Sequence, residues 1–318
     1  MVNNMKLATM KSNIDNLEIS VTEMTPSKGI KVKGIVQILH GMMEDKKRYY
    51  SLMRFLNKNG YITIIHDHRG HGESVEKPSE LGYFYNGGKK GLINDAHQLT
   101  LAIKKRHPNL PIYILAHSLG SLIASCYLKN NDDLINGVIL CGMPNENKHV
   151  KGAIRFVKLM NILKGPYYRS YYIHNFIFED ANKQFIEEGE NAWLCSDKKV
   201  VSLYNKNPNY GFVFTIQGYY HLFSLLKDVY IKDDYQVKKP YLPIYLLAGE
   251  FDPIAGGNIE FQETTNFFKN SGYLQVVNKL YPSMRHEILN EKNKKEVYND
   301  ILVFLDKKIE ENNTELLS

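Results

Sequence analysis

One serine in this chain stands in a setting that would make it a nucleophile. Ala116-His117-Ser118-Leu119-Gly120 follows an apolar run and precedes a helical one. This is the G-x-S-x-G pattern of a nucleophile elbow, with Ala in the first position. Small residues are required beside the serine because strand and helix pack closely where the chain reverses. Ala meets that requirement nearly as well as Gly. The reversal pushes the Ser118 hydroxyl out beyond the strand end, and strain in its backbone keeps it there. A serine alone is a weak nucleophile and needs a base, with an acid to hold that base. With this elbow the chain order is Ser, then Asp or Glu, then His. Asp252 sits in Gly249-Glu250-Phe251-Asp252-Pro253, directly after an apolar run. It is preferred over Glu250 because a turn residue before Pro can point back over the strand ends. His286 follows the last apolar run, and no other histidine lies beyond residue 221.

The tetrahedral intermediate of such a reaction needs two backbone N–H groups aimed at its oxyanion. Leu119, at the start of the helix, should supply one. The other should come from Met42 in His40-Gly41-Met42-Met43, where Gly41 permits a tight path and His40 reads as structural. Asp67-His68-Arg69-Gly70-His71-Gly72 is a second dense polar cluster. Its spacing matches no zinc signature, so it reads as a glycine-rich loop beside the site. Neither a metal nor an organic cofactor is expected.

Positioning these residues requires strands that alternate with helices. Buried strands are predicted at 34–39, 61–66, 112–116, 137–141, 244–248 and 274–280. Tyr49, Leu52, Met53 and Leu56 make one helix face, stopped by Gly60. Leu92, Ala96, Leu99 and Ile103 make another, closed by Pro108. Further helices are expected from Leu119, over 259–270, and around Val297, Ile301 and Leu305. That alternation implies an α/β fold with a mostly parallel sheet covered on both faces. Residues 109–128 lack Asp, Glu, Lys and Arg over the length of a membrane span. Pro111, His117, Gly120 and three serines make the stretch a strand, a turn and a helix instead. The alternation stops near Pro144 and resumes near Pro243. The expected organisation is a core of residues 1–143 and 243–318, with an inserted helical lid over 144–242. Ligand sites in open α/β sheets lie beyond the strand C-termini, where such a lid would sit.

Composition narrows the classes further. The 318 residues are 43% hydrophobic and 23% charged, enough to bury a large core and too apolar for a disordered chain. Lys and Arg exceed Asp and Glu by 40 to 34, but the basic clusters are short and scattered. No basic stripe with interleaved aromatics is present, so nucleic acid is not the expected partner. Three widely spaced cysteines without a C-x-x-C pair fit a reducing compartment. Residues 1–12 hold two lysines and no apolar core of a signal peptide, so a cytoplasmic location is expected.

Several of these pieces together resemble the serine-hydrolase branch of the α/β-hydrolase fold that contains monoglyceride lipases and bacterial lysophospholipases. They are His40-Gly41-Met42-Met43-Glu44 with Arg48-Tyr49, Asp67 to Gly72, His117 to Gly120, Gly249 to Asp252, and Arg285-His286-Glu287 with Asn290-Glu291. Trp193-Leu194-Cys195-Ser196-Asp197, with Asn207-Pro208 and Tyr210-Gly211-Phe212, resembles the lid of the bacterial members. The resemblance runs from about residue 15 to 310, and Ala116 stands where most members carry Gly. It implies an esterase for single-chain acyl lipids, whereas the residues alone indicate only a serine hydrolase. Phe212, Phe214 and Tyr219 open an uncharged aromatic run reaching Leu226, expected to cover an acyl channel and bind substrate. Peripheral contact with the inner membrane surface through the lid is a further expectation. The alternatives are a related hydrolase with another leaving group, such as a proline iminopeptidase or a thioesterase, and a catalytically silent binding protein on the same fold.

Overall fold

A computed structural model describes residues 4–315; residues 1–3 and 316–318, at the outer ends of the expected core, lie outside the described residues. A hairpin of β1 (Asn4–Lys11) and β2 (Glu18–Thr25) comes first. It is followed by β3 (Gly34–Leu39), α1 (Tyr50–Lys58), β4 (Tyr61–His66), α2 (Gly88–Arg106) and β5 (Ile112–His117). Then come α3 (Leu119–Asn131) and β6 (Gly137–Cys141). After an insert, β7 (Ile244–Gly249), α8 (Gly257–Asn270), β8 (Val276–Tyr281) and α9 (Lys294–Glu315) complete the chain. The eight strands form one sheet in the order β1-β2-β4-β3-β5-β6-β7-β8. β1, β2 and β4 pair antiparallel, and β4 to β8 pair parallel.

Strands β3 to β6 are short apolar runs buried along their whole length, as a sheet covered on both faces requires. Alternate residues face opposite layers. Ile35, Leu39, Ile114 and Ala116 pack with α2, α3 and α8, while Val36, Ile38, Tyr113 and Leu115 pack with α1 and α9. Gln37, on the first face, donates to the Ala96 carbonyl and accepts from Thr100 Oγ1, pinning β3 to α2. Register aligns the strand ends that matter: Ala116 pairs with Leu39 on one side and Leu140 on the other. The loop after β3 and the turn after β5 are thereby side by side.

The uncharged stretch 109–128 is strand β5, a turn and helix α3. Among the described residues no helix is long and apolar enough to cross a membrane. The last strand begins at Val276 rather than Leu274, whose side chain is 63% exposed and whose N–H bonds the Pro240 carbonyl beside the sheet. The β1–β2 hairpin was not anticipated. Between β6 and β7 the chain forms α4 (Val150–Lys164), α5 (Tyr171–Asn182), α6 (Lys198–Lys206) and α7 (Ile216–Val229). No strand of this insert joins the sheet.

Four buried histidines gather at the ends of β3 and β4. The His40 and His68 rings are 4.1 Å apart, His66 and His68 4.8 Å, and His40 and His71 5.3 Å. Burial lowers the pKa of each, to about 3 for His66 and about 4 for His71. Folding therefore favours their neutral forms, and that contribution is present above the unfolded pKa near 6.5. It is lost as pH falls from there toward the folded values, at about 2 kcal/mol by pH 5 for each of His66 and His71. Urea unfolding at pH 7 and pH 5 should show the midpoint dropping clearly at the lower pH; equal midpoints would contradict this account.

Candidate active site

Ser118 is the hinge between β5 and α3. Its backbone stands at φ +50° and ψ −114°, outside the ordinary regions for a residue with a side chain. The surroundings enforce that geometry. Its N–H donates to the Cys141 carbonyl at 3.0 Å, extending the ladder between β5 and β6. On the helix side, a Cβ at Gly120 would stand 2.2 Å from the Leu39 carbonyl oxygen, so only glycine lets α3 approach β3 this closely. Ala116 is completely buried between neighbouring strands.

Asp252 and His286 meet across two loops at the same sheet edge. After β7, the turn at Asp252 presents a carboxylate that accepts from the Ile254 N–H at 2.8 Å and the Ala255 N–H at 3.2 Å. Both carboxylate oxygens lie 3.0 Å from His286 Nδ1. Burial alone would raise the Asp252 pKa, but the adjacent His286 and the two N–H donors outweigh it and hold the carboxyl below its usual value. At neutral pH it is ionised and can accept a hydrogen bond from Nδ1–H. Glu250, the competing acid, accepts from the Ser283 N–H and makes no contact with His286. Ser118, His286 and Met42 line one narrow cleft with Gly41, Met43, Trp193, Leu194 and Tyr204, enclosing about 20 Å³. Leu119 opens α3 directly behind Ser118.

The loop carrying Met42 is held by a buried charge network. Glu44 accepts from the Gly41 N–H at 2.5 Å, from Tyr49 Oη at 2.7 Å and from Arg48 at 2.7 Å. Arg48 reaches across to Glu287 with two bonds of 2.5 Å. Glu287 is the neighbour of His286, whose carbonyl lies 3.2 Å from His117 Nε2. His117 in turn approaches Glu44 at 3.6 Å. Burial alone would depress His117, but Glu44 and Glu287 raise it above the usual histidine value. The loop after β3, the turn after β5 and the loop after β8 are thus joined in one ring of polar contacts. His40 serves the same loop, its Nδ1 lying 2.7 Å from the Gly41 carbonyl and its Nε2 accepting from the His68 N–H. The second polar cluster is a scaffold: Asp67 accepts from both nitrogens of buried Lys46, and Arg69 pairs with Asp15 and Asp95. Among the described residues, no group of three or more His, Cys, Asp or Glu side chains is arranged to hold a metal ion.

Part of the insert is fastened to this ring. The Leu194 carbonyl accepts from the Glu287 N–H at 2.7 Å, and Ser196 donates twice to Glu291. Asp197 caps α6 through the Lys199 N–H. From α6 and the segment after it, the Gly211 N–H and Tyr204 Oη both donate to the Met43 carbonyl, and Tyr210 Oη donates to Asp45. Phe212, Phe214 and Tyr219 are not among the residues lining the cleft. Phe212 and Phe214 pack on the His71 ring at 5.5 and 5.4 Å, and the Tyr219 ring lies tilted beside Phe214 at 5.6 Å. Their uncharged sequence reflects this packing between insert and core, with Phe214 and Tyr219 fully buried. Sequence patterns gave no role to Glu44, Arg48, Glu287 or Trp193. The i, i+4 spacing of Glu44 and Arg48 and the position of Glu287 beside His286 were the available signals.

Removing the shared cation would leave two buried carboxylates unpaired, at a cost of about 3–5 kcal/mol. Arg48→Met should lower stability by that order, and Arg48→Met with Glu287→Gln should recover part of it. Urea unfolding of the two variants checks this; no recovery in the double variant would mean the pair is not coupled.

Comparison with known proteins places this geometry in context. The chain is 23% identical over 269 residues to the "Monoacylglycerol lipase" of Mycolicibacterium smegmatis, covering 85% of this chain and 86% of the relative. It is 25% identical over 271 residues to the "Probable lysophospholipase L2" of Haemophilus influenzae, covering 82% and 79%. A thermostable carboxyl esterase from Bacillus coagulans, solved with glycerol, superposes with a TM-score of 0.88 at 24% identity over 96% of this chain and 99% of that one, which shows the α/β-hydrolase fold. The family model described as "Serine aminopeptidase, S33" matches residues 30–293, and the chain belongs to that hydrolase family.

Proposed function

We propose that this protein hydrolyses carboxylic esters of single-chain acyl lipids, monoacylglycerols or lysophospholipids, with Ser118, His286 and Asp252 as the reacting set. The observation that carries the reading is the Asp252–His286 pair, with Nδ1 3.0 Å from the carboxylate, in the same cleft as a strained Ser118. His286 Nε2 takes the Ser118 proton as Oγ attacks the ester carbonyl, and Asp252 stabilises the imidazolium that forms. The Met42 and Leu119 N–H groups stabilise the oxyanion. The imidazolium protonates the departing alcohol, giving an acyl-enzyme. Water then repeats the sequence in reverse roles and releases the fatty acid. No metal or organic cofactor enters any step.

The substrate class is supported by the lipases and lysophospholipases among the relatives and by the cleft itself. Met42, Met43, Trp193 and Leu194 give it apolar walls, and its volume of about 20 Å³ is far below the roughly 300–1,000 Å³ of a ligand pocket. An acyl chain needs more space, so the insert is read as a lid, residues 144–242, over a core of 1–143 and 243–318. An aminopeptidase reading would require acidic groups free to bind a substrate amine. Glu44 and Glu287, the carboxylates lining the cleft, are both paired with Arg48. A thioesterase or a catalytically silent protein on this fold is favoured by no contact in the cleft.

Membrane contact through the lid has a physical basis in α4 and α5. Ile162 is 74% exposed and Phe176 73%, with Leu159, Leu163, Tyr171 and Tyr172 also exposed. Lys151, Arg155, Lys158 and Lys164 are the charged residues of α4, which has no acidic residue. Such a helix would lie at the surface of an anionic bilayer, placing a cytoplasmic protein peripherally at the inner membrane.

A fluorophosphonate probe should label the intact protein and fail to label Ser118→Ala; labelling of both would remove Ser118 from the mechanism. Against monoacylglycerol, lysophospholipid, acyl-thioester and proline anilide substrates, the oxyesters should be cleaved fastest. Equal rates on acetyl and dodecanoyl esters would count against a long-chain acyl site. Vesicles containing phosphatidylglycerol should sediment the protein, and Ile162→Glu with Leu163→Glu should weaken that binding while leaving hydrolysis of a short soluble ester unchanged. Undiminished sedimentation would rule out this face.

A further inference from the structure

Trp193 is the only tryptophan in the chain, and its side chain has no task in the mechanism above. It is buried in the wall of the cleft, with its ring 5.1 Å from the His286 ring and tilted by 37°. The same ring stacks on Phe178 of α5 at 5.6 Å and 17°. Its backbone is held at both polar atoms. The N–H donates to Asn182 Oδ1 at 3.1 Å, and the carbonyl faces the His286 N–H at 3.5 Å. The indole is therefore fixed against the imidazole by main-chain contacts and by an aromatic neighbour.

An aromatic face within about 6 Å of a cation stabilises it, more so when water is excluded. A general-base histidine becomes a cation as the nucleophile adds to the carbonyl. We propose that Trp193 is a positioning residue for His286: its ring fixes the imidazole against Asp252 and stabilises the imidazolium formed in the transition state. Through Phe178, this support depends on where α5 lies, so displacement of that helix is transmitted to the base. The inference rests on reading His286 as the general base. Other titratable groups around His286 are Asp252 from the turn after β7, His117 from β5 at a ring separation of 4.8 Å, and Glu44 and Glu287 in the same cleft. Both glutamates are already paired with Arg48, and Tyr204 of α6 also lines the cleft.

Because no other tryptophan emits, fluorescence reads this contact directly in the whole protein. An imidazolium touching an indole quenches it, so emission should step down as the protein is acidified. That step should vanish in His286→Gln and persist in His174→Gln, since His174 packs on Phe178 at 4.8 Å rather than on the indole. In kinetics, Trp193→Phe keeps an aromatic face and should retain kcat within about twofold. Trp193→Met keeps the cleft apolar without a ring and should lower kcat by about 3- to 30-fold with KM nearly unchanged. Circular dichroism confirms that each variant is folded. An emission step unchanged in His286→Gln would overturn the contact. A wild-type kcat in Trp193→Met, or a loss expressed only in KM, would overturn the catalytic support. Undiminished hydrolysis by Ser118→Ala would instead overturn the reading of Ser118 and His286 as reacting partners, a different failure with a different signature.

Discussion

Arg48 carries the constraint on which the site depends. Its guanidinium is nearly buried between Glu44 and Glu287, two carboxylates separated by more than two hundred residues of sequence. Burial would depress an isolated cation, yet the two anions hold Arg48 firmly charged. Desolvating three ions is costly, and good geometry with saturated hydrogen bonds is what offsets that cost. Here the geometry is a bidentate fork to Glu287 together with the Gly41 and Tyr49 donors to Glu44. Fixing those carboxylates fixes the peptide before Met42 and the residue beside His286 relative to each other.

The insert divides into two parts with different physical ties. From Trp193 to Phe212 it is bound to the core by backbone hydrogen bonds to Glu287 and Met43, by Ser196 to Glu291, and by Tyr204 and Tyr210 against Arg48. Helices α4 and α5 instead direct much of their apolar surface outward. A wall of the cleft is thus continuous in sequence with a surface of exposed apolar side chains. Trp193 stands at the junction, touching α5 through Phe178 and the loop after β8 through His286.

How much of this was legible beforehand follows from the range of the interactions. Strands β3 to β7 were read within a residue or two because each is a short apolar run bounded by turn residues, a local signal. The β1–β2 hairpin escaped because β1 is exposed on nearly all its residues; backbone pairing with β2 holds it, and pairing leaves little mark on side-chain pattern. The aromatic run from Phe212 fits a substrate wall and a core face equally well in sequence, because burial against a ligand and burial against the core leave the same composition. Only packing on His71 and Phe84 separates the two.

Sequence alone determined the alternation of strands and helices, the place where the alternation lapses, and the turn that must hold Ser118, because each depends on residues within a few positions of one another. Asp252 and His286 could be picked out because chain order and strand ends confine the choice. The tertiary structure decided what no local pattern can specify: that Arg48 closes a ring between Glu44 and Glu287, that Trp193 lies on His286, and that Phe214 is core. Those contacts join residues from distant parts of the chain. Their existence depends on how the sheet brings its strand ends to one edge, and that is a property of the assembled fold.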